Sequence, residues 1–587
     1  TWGRGGLNEP DLFAAPNQYL IKVDNDAYIE SLQSTIESYF DGKSNNNALL
    51  IANRKSMPFF ATVNNDVNQA VSFTYVFPFV FFFVGVLVIV TTISQLVVKE
   101  RGQIGAMKAI GVPNVAIYGL YILLTLILVW LGLIIGEAVG PVLIPFIMSH
   151  KYDIIYTLPA RKYVFPVIEG ILTAVVFSSI ASLVTYLMCK KEVSLKPVES
   201  LRPIPPKFKA LVKSSSTKEK TTKISLKMAF RNIRKDLVKS LMGVFGVMGC
   251  TALLTCGFGV DDTVNYGVNH DMNMVNNWDI SCTLSSGKKQ SEIVTQFMSI
   301  ENVKNVEAFS QVMSTMYIDG GVQTESYCYI ISGNEDSHFQ ISFDLNKVAI
   351  SQKISRLTGA EVGDDLFFTV GNKTYSAEIG LVYDAFVYHG VVVHAESGLI
   401  GNPESISYLG AWIDLENNEN PISTRDFMSN EFSNVQKCQT RADWFEYLDG
   451  VLSGVTLMTM AVKIFAILLA VVVLYNLALM NFHDRTRDIA TLKVLGFTRY
   501  EISLSLMLET MTLTAVGVAI GLALGFPFLL AVLKTNIVEL VEYMFSINIL
   551  SYILSFILTF IVSFFVNIWL TSKTKSVRMI ESLKSVE

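Results

Sequence analysis

The sequence predicts an α-helical polytopic membrane protein: two tandem four-helix units, the first lacking its opening helix, with an extracellular α+β domain. Three observations predict this class. Of 587 residues, 51% are hydrophobic and 17% charged, where soluble proteins carry about a quarter charged. Seven nearly uncharged runs each exceed the roughly 20 residues that cross a hydrocarbon core. One stretch also occurs twice. KERGQIGAMKAIGVPN from Lys99 and DRTRDIATLKVLGFTR from Asp484 superpose at an offset of 385 residues. The same offset aligns the following glycines, Gly132, Gly136 and Gly140 with Gly517, Gly521 and Gly525. A repeat of this kind fixes the architecture before any local pattern is read.

Residues 1–70 are polar. NQYLIKV reads as a strand and DAYIESLQSTIESYF as an amphipathic helix, with Ile29, Leu32, Ile36 and Phe40 near helical spacing. The apolar runs then lie at about 73–98, 115–147, 164–189, 239–259, 457–481, 504–534 and 547–571. If they alternate, the short basic loops at 98–114 and 482–503, the basic connection 190–238 and the basic tail all share one side, the cytoplasm. The acidic 260–456 segment falls opposite and reads as a solvated extracellular domain. Its strand-like runs are NWDISCTL, ESYCYIIS, DLFFTV, YSAEIGLVY, GVVVHA and YLGAWIDL. Its helical runs are KKQSEIVTQFMSI, VAISQKISRLTG and STRDFMSNEF.

The domain scheme is therefore a tail of a first outer domain at 1–70 and a first membrane unit at 71–205. A basic linker with an interfacial helix follows at 206–238, then an opening span at 239–259. The outer domain takes 260–456 and the second membrane unit 457–587. The second unit has four spans and the first three, which predicts a further span upstream of Thr1.

No residue pattern points to catalysis, metal binding or nucleic acid. Gly287-Lys288-Lys289 and Gly371-Asn372-Lys373-Thr374 lack the spacing with which a glycine-rich loop cradles phosphate. His389 and His394 are five apart in a strand-like run, so they point to opposite faces. The six cysteines form no C-x-x-C pair, which argues against a metal site or a disulfide scaffold.

Glycines every fourth residue let a neighbouring helix approach closely. Gly132, Gly136, Gly140, Gly517, Gly521 and Gly525 read as packing faces, with sliding contact as the second reading. Glu137 and Glu509 fall within spans, where a carboxylate is a functional-site candidate by default. They are not repeat equivalents.

The repeated loop carries the sharper expectation. It is short, charged and helical, and closes on a glycine suited to a helix C-terminus. Its repetition fits a docking helix whose apolar face (Ile104, Met107, Ile110; Ile489, Leu492, Leu495) enters a partner's groove. At these residues the chain resembles the FtsX-like, MacB-type (type VII) permeases of ABC transporters, in their duplicated Gram-positive form. VFPFVFFFVGVLVIVTTISQLVVKERGQIGAMKAIGV, VLYNLALMNFHDRTRDIATLKVLGF and the terminal MIESLKSVE carry the likeness. VSLKPVESLR and TKSVRMIESLK, each following the last span of a unit, echo one another.

The resemblance implies a plasma-membrane permease with no catalytic site of its own. Two copies of a cytoplasmic ATPase, which would bind ATP and Mg, would dock at Arg101, Gln103, Ile104, Gly105, Lys108 and Gly111 and at Arg487, Asp488, Ile489, Lys493 and Gly496. It implies mechanotransmission, the coupling of ATP binding to movement of outer domains. The expected cargo is amphiphilic: peptide, lipid, lipoprotein or haem-like. The rival expectation is a regulator that drives an extracellular protein partner, a cell-wall hydrolase or sensor kinase, and transports nothing. Gln103 departs from the family, which has an acid there as Asp488 is in the second copy.

Overall fold

The computed structural model describes residues 58–155, 164–201 and 237–572, apart from 276, 333–337, 372, 403–405, 417–419, 485 and 536–540, together with 31, 32 and 35. The chain divides into two compact units, Thr1–Val71 and Ser72–Glu587, and nearly all described residues belong to the second. The expected strand NQYLIKV, most of the expected interfacial helix and the terminal MIESLKSVE lie outside the described residues.

Among the described residues, seven helices are long and apolar enough to cross a membrane. The first repeat contains α1 (Pro58–Lys99), a short helix α2 (Arg101–Ala109), α3 (Asn114–Ile155), α4 (Val167–Val193) and a further short helix α5 (Pro197–Leu201). Helix α6 (Leu237–Met274) leads into the sheet domain. The return is α10 (Arg441–Asp484), followed by the short α11 (Thr486–Val494), then α12 (Arg499–Thr535) and α13 (Ile549–Ser572). Helices α6 and α10 each run past their apolar windows into the sheet domain, so they are stalks as well as spans.

The membrane core of the second repeat is close-packed because α6 and α12 meet without intervening side chains. A methyl group at Gly517 would stand 3.0 Å from the Val244 carbonyl oxygen, and one at Gly521 would stand 2.7 Å from that of Met248. At Gly525 it would meet Thr255 at 2.5 Å. This is the packing face the glycine spacing predicts. Helix α1 joins this core through Val84, buried with Val247, Cys250, Ala470 and Val473.

The sheet domain lies between α6 and α10. Its strands are β1 (Ile280–Lys288), β2 (Val303–Tyr317), β3 (Thr324–Ile331), β4 (Val348–Ser351), β5 (Asp365–Val370), β6 (Lys373–Tyr383), β7 (Gly390–His394), β8 (Tyr408–Leu415) and β9 (Val435–Thr440). Helices α7 (Gln290–Met298), α8 (Gln352–Thr358) and α9 (Pro421–Glu431) lie between strands. The sheet order is β3-β7-β4-β6-β5-β2-β8-β1-β9, and an added β3–β2 pairing closes six strands into a ring. The added pairing removes the open edge at β3 and leaves β9 as the edge strand. Ile280, Phe297, Val348, Phe368, Ile379 and Tyr408 are fully buried in the domain core.

Antiparallel register sets Cys282 opposite Cys438 on β1 and β9, and the two form a disulfide. The lack of a C-x-x-C pair argues against a disulfide scaffold, and one bridge between two strands of the sheet domain is not a scaffold. The partners are 156 residues apart, so only the register, and no local spacing motif, brings them together. Cys189, Cys250, Cys256 and Cys328 are free and buried.

The domain grips the membrane unit at one loop. Asp271 on α6, fully buried, accepts the backbone N–H groups of Phe386 at 2.9 Å and Val387 at 2.7 Å. Phe386 is buried among Val264, Val268, Leu448, Leu452 and Tyr543, and its carbonyl accepts from the Glu542 N–H at 3.0 Å. Lower on the stalks, Asp261 of α6 pairs with Lys463 of α10 and accepts from Thr459.

Candidate functional site

The short helices α2 and α11 form two elbows at equivalent positions, at the ends of the spans remote from the sheet domain. Each closes in the same way. Gly111 and Gly496 take positive φ angles of 92° and 88°, the left-handed conformation that glycine enters without a side-chain penalty. In the first elbow the Gly111 N–H donates to Lys108 O at 3.1 Å and the Val112 N–H to Met107 O at 3.0 Å. In the second, Gly496 donates to Lys493 O at 3.2 Å and Phe497 to Leu492 O at 3.0 Å. This paired bonding is a Schellman ending, which satisfies the helix's last carbonyls and turns the chain sharply. The turn sends each elbow straight into the next span.

One face of each elbow is committed to its own chain. Ile104 is fully buried with Ile93, Val97, Ile117 and Tyr121, and Gly105 is buried beside it. Ile489 is buried with Ile502 and Leu506. The Lys108 ammonium points inward and donates to the carbonyls of Val193 at 2.7 Å and Leu195 at 2.5 Å. It caps the C-terminal end of α4, where a cation also suits the helix dipole. Arg101 donates to Glu199 O at 2.8 Å and lies 3.7 Å from Glu192. Both cations are therefore braces of the elbow. The side chains of Arg487 and Asp488 lie outside the described residues, and Lys493 is half-buried.

The other face is open. Ile110 is 81% exposed and its equivalent Leu495 is 69% exposed. Val115 and its equivalent Tyr500 are 79% and 74% exposed. Gln103 is exposed beside them on α2. The expected apolar docking face thus divides: Ile104 and Ile489 anchor each elbow to its own membrane unit, and Ile110 and Leu495 face outward.

The brace supplied by α5 escaped sequence reading, though the signal was there. PVESL is the repeated motif after the last span, and its Glu199 carbonyl holds Arg101 while Ser200 is buried. The two intramembrane carboxylates are not brought together. Glu137 accepts from the Thr173 hydroxyl on α4 at 2.7 Å, and Glu509 is buried on α12. Gly132, Gly136 and Gly140 meet no neighbour within 4 Å, unlike their buried equivalents. Among the described residues no cluster of three or more His, Cys, Asp or Glu side chains could hold a metal ion.

The FtsX-like permease C-terminal family matches the chain at residues 75–192 and again at 460–577. No curated protein matches. Among solved structures, the crystal structure of the periplasmic region of MacB from Actinobacillus actinomycetemcomitans is similar, at 5% identity and a TM-score of 0.24, over 30% of this chain and 96% of that one. The chain is a multi-pass membrane protein that carries the FtsX-like permease C-terminal domain twice.

Proposed function

We propose that this chain is the permease subunit of an ABC transporter, driven by a separate cytoplasmic ATPase that docks on both elbows. One permease chain with two elbows would serve two ATPase copies, which would supply the ATP and Mg sites. The observation that carries the reading is the outward pair of apolar residues repeated at equivalent positions, Ile110 with Leu495 and Val115 with Tyr500. A solvated turn has no need of large exposed apolar side chains twice over, and such clusters mark partner surfaces.

Force entering at the elbows has a rigid route out. Helix α10 is continuous from its elbow end to β9, and α6 is tied to it by the Asp261–Lys463 pair. The Asp271 grip on Phe386 then carries stalk movement into the sheet domain. The Cys282–Cys438 disulfide supports an extracellular placement of that domain, since disulfides persist in oxidising surroundings. The cargo class is amphiphilic: a peptide, lipid, lipoprotein or haem-like molecule.

The test is Ile110→Asp with Leu495→Asp in the full-length protein. Both side chains are exposed, so the fold should survive while the ATPase no longer co-purifies from native membranes. Undiminished recovery of the ATPase would overturn the docking reading. ATPase activity stimulated by amphiphiles, and not by an outer protein partner alone, would identify transport over regulation.

A further inference from the structure

One end of the sheet domain is turned toward the membrane unit, and the strand pairings say which end. Strand β7 begins at Gly390, three residues after Val387, whose N–H is held by Asp271 of α6. Strand β3 runs parallel to β7 with Tyr327 opposite Gly390, so Thr324 lies three residues, about 10 Å, nearer the membrane unit. The β2–β3 turn, 318–323, lies beyond it. Strand β5 pairs with the end of β2, Tyr317 opposite Phe367, which brings the loop 359–364 before β5 to the same end. A methyl group at Gly321 would stand 2.9 Å from the carbonyl oxygen of Thr358, the last residue of α8, so the turn rests on that helix.

That end stands at the level of the lipid headgroups. Arg356 of α8 pairs with Glu542 at 2.8 Å, and the Glu542 N–H donates to Phe386 O, which packs with Val264 and Val268 of α6. From there the loop descends along α6. The Ser546 carbonyl accepts from Thr263, and the Asn548 N–H donates to Asp262 at 2.8 Å, just before α13 begins at Ile549. Val268 is six residues above Asp262, about 9 Å of helix, and the headgroup layer of a leaflet is roughly 5–8 Å deep. Tyr266, 50% exposed between Val264 and Val268, is the amphipathic kind of side chain found at that depth. At this end of the sheet domain three large apolar side chains are bare: Val322 in the turn at 67% exposure, Val362 in the loop at 60% and Leu357 on α8 at 44%. The exposed acids Asp319, Glu361 and Asp364 stand in the same turn and loop.

We infer that this end of the sheet domain rests on the lipid leaflet beside the start of α13, with Val322, Leu357 and Val362 inserted among the headgroups. An apolar patch rimmed by polar side chains marks an interaction surface, and here the level of the patch names the partner. Apolar side chains enter the leaflet while the carboxylates stay in water, the arrangement of an interfacial anchor. Those carboxylates repel anionic headgroups, so the surface that fits is zwitterionic. The domain then has a foothold on the bilayer besides its stalks α6 and α10, and stalk movement drags or lifts that foothold across the leaflet. The inference is independent of any ATPase and of which side of the membrane the domain occupies.

Nitroxide quenching tests it in the full-length protein. Val322→Cys and, separately, Val362→Cys are labelled with the fluorophore nitrobenzoxadiazole. Cys282 and Cys438 are bridged and the other native cysteines are buried, so the new thiol is the one that reacts. Each labelled protein is placed in phosphatidylcholine nanodiscs with and without phosphatidylcholine that carries a nitroxide on its headgroup. Both labels should lose most of their emission to the nitroxide lipid. A label at Lys373→Cys, exposed at the far end of the β5–β6 pair, should lose little. Quenching at Val322 and Val362 no stronger than at Lys373 would overturn the inference. So would a blue-shifted emission that the nitroxide leaves intact, which would mean that protein, and not lipid, covers the patch. Both replaced side chains are exposed, and labelling at two separate sites keeps the test decisive if one label disturbs its own turn.

Discussion

Asn476 donates from its side-chain amide to the hydroxyl of Thr91 at 2.6 Å, and the two residues are 385 apart, the offset of the repeat itself. Two equivalent positions therefore touch, as residues on the axis of a symmetric homodimer do. Helices α1 and α10 meet there, with Val84 and Val473 in one buried cluster nearby. The two repeats thus meet at equivalent positions inside one chain, threonine on one side and asparagine on the other.

This contact is the first thing to break. Thr91→Val keeps the shape and removes the acceptor, leaving the Asn476 amide without its partner in an apolar setting. A double-mutant cycle with Asn476→Ala, read by unfolding in detergent, should give a coupling of about 0.6–1.7 kcal/mol, the range for interhelical hydrogen bonds in membranes. Strict additivity would mean the bond contributes nothing to repeat association.

Gly521 faces a harder constraint. An alanine methyl there would stand 2.7 Å from both the Met248 carbonyl oxygen and the Thr251 Cβ. Backbone cannot rotate aside as a side chain can, so α6 and α12 must separate. The expected loss for Gly521→Ala is about 1–3 kcal/mol, despite alanine's better helix propensity. A melting temperature equal to that of the unaltered protein would count against the tight α6–α12 seam.

Much of this was legible from residues alone. The seven spans, the two elbows and six strands follow from uncharged length, the repeat and alternation. The misses have physical causes. Residues 348–359 read as one helix, VAISQKISRLTG, but split into β4 and α8, because four buried apolar and small residues look alike in either state. Strands β2 and β9 mix polar and apolar residues without strict alternation, so neither stands out as a period-2 run. The direction of Lys108 was illegible because a lysine in a basic loop says nothing of carbonyls some 85 residues away. For the same reason, charge reversal at Lys108 would damage the elbow itself, and Ile110 and Leu495 are the positions that probe docking.

The disulfide closes a long loop, from the exit of α6 to the start of α10. Removing such a bridge costs about 2–5 kcal/mol, largely through the unfolded chain's regained freedom. Cys282→Ser with Cys438→Ser should lower the melting temperature of the purified protein, and dithiothreitol should lower that of the unaltered protein by a similar amount. If neither shifts it, the bridge does not staple the stalks.

His338 makes the sheet domain's stability depend on pH. Its Nδ1 lies 2.7 Å from Glu307 and its Nε2 2.8 Å from Asp414, and its ring is almost wholly buried. Burial alone would lower the imidazole's pKa, but the hydrogen bonds to Asp414 and Glu307 and their charges override it and raise the value to about 9. An unfolded histidine titrates near 6.5. The native state thus holds a proton that the unfolded state releases between these values. The resulting stability is fully present below about pH 6.5 and lost as pH rises through about 9, on the order of a few kcal/mol in all. Melting followed by the buried Trp412, which packs against His338, should fall across that window in the unaltered protein. In His338→Gln it should stay level there, because the titrating proton is gone. Equal slopes in both would place the pH dependence elsewhere in the chain.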